Sequence, residues 1–256
     1  MISIGNALLV TLALACSSTS YGQSGIQLRD ISSEGSPLRA SGAVSFENNA
    51  SEVIPYTYRV EGSVRNLSDK AVLLMVVHFE SSGVRGPSLS YTYQEDHFFG
   101  SDVLESGNFE DLRSSPLRFG DTMVNGRPVE YVAESSGPPT ATAQVVFVQF
   151  VDGSIWGDSE LARDALNDRV QTLQELHRLE EMFRSEGGQV FKKELSKHDD
   201  LPCINSLMSR CKDNASSTCL HDGVLTMIGA AMHRQTEMKA AARGAGGPGA
   251  SFSEQP

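Results

Sequence analysis

The side chains able to do chemistry collect in two places. One is a run of thiols, imidazoles and carboxylates near the C-terminus: His198, Asp199, Asp200, Cys203, Cys211, Cys219 and His221 fall within 24 positions. Zinc sites bring two thiolates onto one ion through short Cys-to-Cys spacing, and the seven-residue gaps here do not provide it. The other use of such cysteines is an oxidised pair. Cys211 and Cys219 flank the loop between two predicted helices. Cys203 lies about 12 Å further along its helix at about 1.5 Å per residue, beyond bridging distance of Cys219. The expectation is therefore a Cys211–Cys219 disulfide, with Cys203 free or paired with another chain, and no metal or other cofactor. A Cys/His metal or thiol sensor stays as an alternative.

The second place is acidic: Glu95, Asp96, Asp102, Glu105, Glu110 and Asp111. The Asp-x-Asp-x-Asp-Gly order of a calcium loop is absent, and a solvated loop is the preferred reading. Two such carboxylates brought together could also hydrolyse a glycoside, so a secreted hydrolase working through the acidic loops is the alternative function. Gly157-Asp158-Ser159 has the residue types of an esterase block. That chemistry needs a His three residues after an Asp, and no such pair occurs, so Asp158 or Ser159 is assigned to capping a helix. Gly244, Gly246 and Gly249 have nucleotide-loop spacing but no strand before them, so no cofactor-binding residue is named. Trp156, the single tryptophan, ends a core strand and is assigned to packing. No catalytic residue is named.

The elements that must position these groups divide near residue 158. Of the 256 residues, 23–158 hold 9 Lys/Arg against 18 Asp/Glu and 14 of the 18 aromatics. Tyr56, Tyr58, Val60, Gly62 and Val64 alternate with polar residues, the period of a half-buried strand. Asn66 to Asp69 turn, and Ala71 to Phe79 form an apolar run fit for a strand buried on both sides. Asn125-Gly126 marks a hairpin over 122–131, because Asn-Gly tolerates the positive φ of a tight turn. Thr142 to Val151 makes a further strand, with Ala143, Val145 and Phe147 on one face and Val146, Val148 and Phe150 on the other. Beyond 158, Leu166, Val170, Leu173, Leu176, Leu179 and Phe183 recur at three and four, the stripe of an amphipathic helix. Shorter helices are predicted at 189–197 and 201–212. A last one, over about 220–242, carries Val224, Leu225, Met227, Ile228, Ala231 and Met232 on its apolar face.

Short strands with turns about every ten residues suggest an antiparallel sandwich. Within it, Gly62-x-Val64-x-Asn66-x-Ser68 leading into the apolar run to Phe79 resembles secreted bacterial immunoglobulin-like modules of the FxLYD-like type. Leu117 to Asp121 stands where such modules carry a Leu-x-Pro-Gly-Glu turn, with Phe119 and Asp121 departing from it. The resemblance implies a fold and no activity.

Residues 1–22 have the short apolar run and small-residue end of an export signal, with cleavage before Gln23. Ala13-Leu14-Ala15-Cys16 also resembles a lipoprotein box, which would leave a lipid anchor at Cys16. The three Asn-x-Ser sequons, at Asn49, Asn66 and Asn214, accept sugar only in a eukaryotic secretory pathway. A net charge of −11 argues against a nucleic-acid partner. The chain is thus expected to be exported (periplasmic, cell-surface or secreted). It is read as an all-β immunoglobulin-like sandwich over 23–157, then an α-helical segment over 158–242 and a disordered tail over 243–256. The function expected is non-enzymatic interaction or scaffolding with a protein or envelope partner.

Overall fold

The computed structural model describes residues 25–48, 56–82, 88–100, 102–113, 117–118, 123–124, 127–132, 139–160, 163–198, 201–211 and 216–245. The signal segment with Cys16, the Asn125-Gly126 turn, the sequons at Asn49 and Asn214, and the tail beyond Ala245 lie outside the described residues.

The protein is α+β. In chain order the strands are β1 (Ile26–Asp30), β2 (Leu38–Asn48), β3 (Tyr56–Asn66), β4 (Val72–Ser82), β5 (Ser88–Asp96), β6 (Phe109–Arg113), β7 (Leu117–Arg118), β8 (Met123–Val124), β9 (Arg127–Val132), β10 (Thr140–Phe150) and β11 (Ile155–Gly157). The helices follow: α1 (Arg163–Glu186), α2 (Gly188–Leu195), α3 (Pro202–Arg210) and α4 (Ser217–Ala245). The predicted 122–131 hairpin is present as β8 paired antiparallel with β9.

The immunoglobulin-like expectation is met at the coarser level only, as a strand-rich front and a helical rear. The strands do not divide into two separate sheets. They lie along one path, β6-β3-β2-β1-β10-β4-β5-β9-β8, with β7 on β3 and β11 on β10. The cause is β1. Its first residues pair antiparallel with β2, at Ile26↔Val44, and its last pair parallel with β10, at Leu28↔Ala141 to Asp30↔Ala143. One strand thereby joins both halves, and the sheet curls as a half-barrel of mixed strands. The curl brings β2 and β3 together at Gly42↔Gly62. A Cβ at Gly62 would overlap the carbonyl oxygen of Ser41, so glycine is required for the close approach.

Both halves line one core. Leu38, Val44, Tyr58, Val60, Val64 and Leu112 come from one side, and Met75, Val77, Phe79, Tyr91, Val145 and Val148 from the other. Each such side chain contributes about 1.5–3 kcal/mol on burial. β4 is buried on both faces, as its unbroken apolar run requires. Strand β10 departs from the expected assignment of faces. A register shift between Val145 and Phe147 inserts Val146 as a bulge, and this reverses the faces beyond it. Phe147 therefore leaves the face of Ala143 and Val145 and packs outward with Leu74 and Val76, while Val148 and Phe150 turn into the shared core. Gly157, at φ 91°, is what lets β11 pair beside this bulge, because a Cβ there would overlap the Val146 carbonyl.

The helices cover that outward face. Leu166 packs on the Leu74–Val76–Phe147 group, and Leu173, Ala231 and Met238 gather around Leu73 and Phe98. A second cluster, including Leu176, Leu179, Phe191, Leu195, Ile204, Val224 and Met227, holds the helices to one another. Helix α1 starts later than expected. Asp158 does not cap it; its Oδ1 accepts the Glu160 N–H at 2.9 Å in a turn ahead of Arg163. Three residues assigned to apolar stripes are exposed: Val170 at 58%, Leu225 at 40% and Met232 at 56%. The stripes are correspondingly narrower, and Arg169 occupies the buried position beside Val170. No helix among the described residues is long and apolar enough to cross a membrane.

Candidate functional site

The acidic residues singled out in the sequence belong to two different environments, and strand alternation decides which. Tyr93 and Glu95 sit opposite Val77 and Met75 of β4, so they face the shared core; Asp96 sits opposite Leu74, so it faces the helices. On β6, Glu110 sits opposite Val64 and therefore also faces inward. The connection from β5 to β6 carries His97 and bridges back to the sheet at Val72↔Leu104. Tyr93, Glu95, His97 and Glu110 thus meet at the seam where one half of the curled sheet closes on the other.

In that seam the Tyr93 hydroxyl donates to Glu95 Oε2 at 2.8 Å. His97 Nε2 stands 3.9 Å from Glu110 Oε2. Only 12% of the His97 side chain is exposed, and Nε2 is sealed from solvent without a hydrogen-bond partner. Burial pushes the Glu110 carboxyl above the ordinary range; His97 pulls it back, and Glu95, Asp111 and Asp102 push it up again. Burial, with Glu95 next, also raises the Tyr93 phenol. The arrangement can hold and release a proton on an inward carboxylate.

Asp96 does a different job. Its carboxylate accepts from Arg169 Nε and Nη2, both at 2.7 Å, and Arg169 Nη1 donates to Gln149 Oε1 at 2.5 Å. The guanidinium carbon lies 4.6 Å from the Phe98 ring centre. Arg169 is 7% exposed, and the bidentate pair ties α1 to β5 and β10. Sequence reasoning placed Arg169 on no functional list, because a basic residue at helical spacing usually reads as solvated surface. Tyr93-x-Glu95 did carry a signal, since period two puts both on one face of a strand, with His97 just beyond its end.

Of the C-terminal candidates, Asp199 and Asp200 lie outside the described residues, and the others serve different contacts. Cys211 and Cys219 stand at disulfide distance, Sγ–Sγ 2.09 Å and Cα–Cα 6.1 Å, leaving Cys203 as a thiol in α3. Burial pushes that thiol up to about 11, which makes it a poor nucleophile. His198 lies 3.0 Å from Glu175. His221 stacks on Phe183 with ring centres 3.8 Å apart. Among the described residues no three His, Cys, Asp or Glu side chains are grouped to hold a metal. Ser159 sits exposed in the turn before α1, and Trp156 packs against the shared core beside Val148. Asn66, one of the sequon asparagines, is buried, its amide donating to the Lys70 and Leu104 carbonyls at 2.8 and 3.0 Å.

A cleft of about 320 Å³ lies between the β10–β11 turn and α4, lined by Lys70, Ala71, Val151, Asp152, Glu237 and Ala241. Its charges are paired internally: Lys70 with Asp152 at 2.7 Å, and Glu237 with Arg234 at 3.0 Å. No protein family, curated protein or solved structure matches this chain.

Proposed function

We propose that the protein is an exported, non-enzymatic interaction or scaffolding module of the cell envelope or extracellular space. The observation that carries the reading is the use made of the polar groups. Asp96 is taken up by Arg169, Glu95 by the Tyr93 hydroxyl, and Asp152 by Lys70 and Ser154. Carboxylates whose oxygens are taken up by such partners are not free to activate water. Export draws support from the N-terminal apolar run and from the Cys211–Cys219 pair, which suits an oxidising compartment. The leader is then removed before Gln23, or before Cys16 with a lipid attached to that cysteine.

The likeness to FxLYD-like immunoglobulin modules belongs to the same proposal. Its support is that Asn66, the asparagine of the quoted stretch, ties the turn into β4 to Leu104. A hydrolase reading rests on the raised Glu110 carboxyl facing the same seam as Glu95. The test uses the full chain. Fractionation of expressing cells, followed by affinity capture and quantitative binding to the recovered partner, supports the module. Turnover of a glycoside or ester panel that disappears in both Glu95→Gln and Glu110→Gln overturns it.

A further inference from the structure

We propose that the Tyr93–Glu95–His97–Glu110 seam is a proton-sensitive latch: it holds β6 against β5 in mildly acidic surroundings and loosens it as pH rises. This goes beyond the interaction reading and does not depend on it.

Three geometric facts support the latch. First, β6 is a terminal strand of the sheet path, held among the described residues by β3 alone in its ladder. Only five residues long, it has little backbone pairing to resist release. Second, its one inward polar residue, Glu110, meets groups from the other half of the sheet. Those facing it are Tyr93 and Glu95 from β5, and His97 and Asp102 from the β5–β6 connection, with Asp111 its neighbour on β6. From β3 it meets Val64, which offers no charge. Third, His97 Nε2 is sealed from water, without a hydrogen-bond partner and 3.9 Å from Glu110, so the charge on Glu110 is felt directly across the seam.

The direction follows from the charges. With a proton on Glu110, the half-buried carboxyl is neutral beside Glu95, Asp102 and Asp111. Loss of that proton leaves like charges crowded around a half-buried carboxylate. The closed seam raises the affinity of Glu110 for its proton relative to the open state. Closure is therefore favoured below the open-state carboxylate range and is lost as pH rises through the closed-state value.

Hydrogen–deuterium exchange of the full chain between pH 5 and pH 8, corrected for intrinsic chemical rates, reads the latch directly. Protection of 109–113 is expected to fall across that range, while protection of β2 and α1 stays level. In Glu110→Gln, an isosteric neutral side chain, the fall is expected to vanish. Wild-type protection of 109–113 that is independent of pH, or an unchanged fall in Glu110→Gln, overturns the proposal. A carboxyl-carbon NMR titration of Glu110 in the wild-type chain guards against a misfolded variant. Titration above the ordinary glutamate range supports the latch, and titration at that range overturns it.

Discussion

The two halves of the curled sheet share a core yet are built on different terms. In β2, β3 and β6 only the inner face is apolar. Arg39, Ser41, Glu61, Ser63, Arg65 and Asp111 alternate outward, where Phe109, 60% exposed, lies under Arg65 with the guanidinium carbon 5.2 Å from its ring centre. Over Val72–Val77 of β4 and at Phe147 of β10 both faces are buried, one in the shared core and one beneath α1 and α4. A face that meets water needs only alternation. A face that meets helices must carry apolar residues and also satisfy any charge that comes with them, which is what Arg169 and Asp96 do.

The comparison can be broken most severely at that ion pair. Arg169→Ala leaves Asp96 facing the helices without its partner and is expected to cost about 3–5 kcal/mol in urea denaturation; adding Asp96→Ala should recover much of the loss. Next comes Phe147→Ala, which empties the outward face at the bulge for about 3 kcal/mol. If Phe147 instead lay exposed, the same measurement would return a few tenths. A substitution in the single-faced half sharpens the contrast. Gly62→Ala should cost about 2 kcal/mol through overlap with the Ser41 carbonyl rather than through lost burial, so thermal unfolding should register it and Gly35→Ala, with open space around its Cα, should not. The smallest effect belongs to Phe109→Ala, expected within about 0.5 kcal/mol because its ring is already in water. A loss as large as that of Phe147 would mean that the outer face of β6 is covered in solution.

Much of the front was legible because alternation and apolar runs report burial directly. Tyr56 to Val64 gave a strand with one wet face, and Val72 to Phe79 gave one with none. The bulge at Val146 was not legible. An inserted residue leaves the sequence pattern apolar on both sides, and only the ladder opposite shows that the faces have exchanged. The path through β1 was also hidden, since a five-residue strand can pair with either neighbour and nothing in Ile26 to Asp30 selects both. In the helical part the period was visible but its width was not: Val170 and Met232 have the right spacing and lie just beyond the buried stripe. At the seam, the two-residue spacing of Tyr93 and Glu95 is the one local clue to a shared face. That Glu110 would come to meet them depends on the curl of the sheet, a long-range property that local spacing does not encode.

The position of β1 sets an order of events for the chain's assembly. Its parallel partner begins at Thr140, and the Ser32 hydroxyl that accepts the Val145 N–H is 113 residues away along the chain. Ribosomes deliver the amino end first, so the opening strand waits for most of the sequence before its second ladder can form. Contacts of such span carry a large loop-closure entropy and form slowly. Until then the Ala141–Ala143 stretch of β10 lacks its second partner, an edge open to proteases and to neighbouring chains.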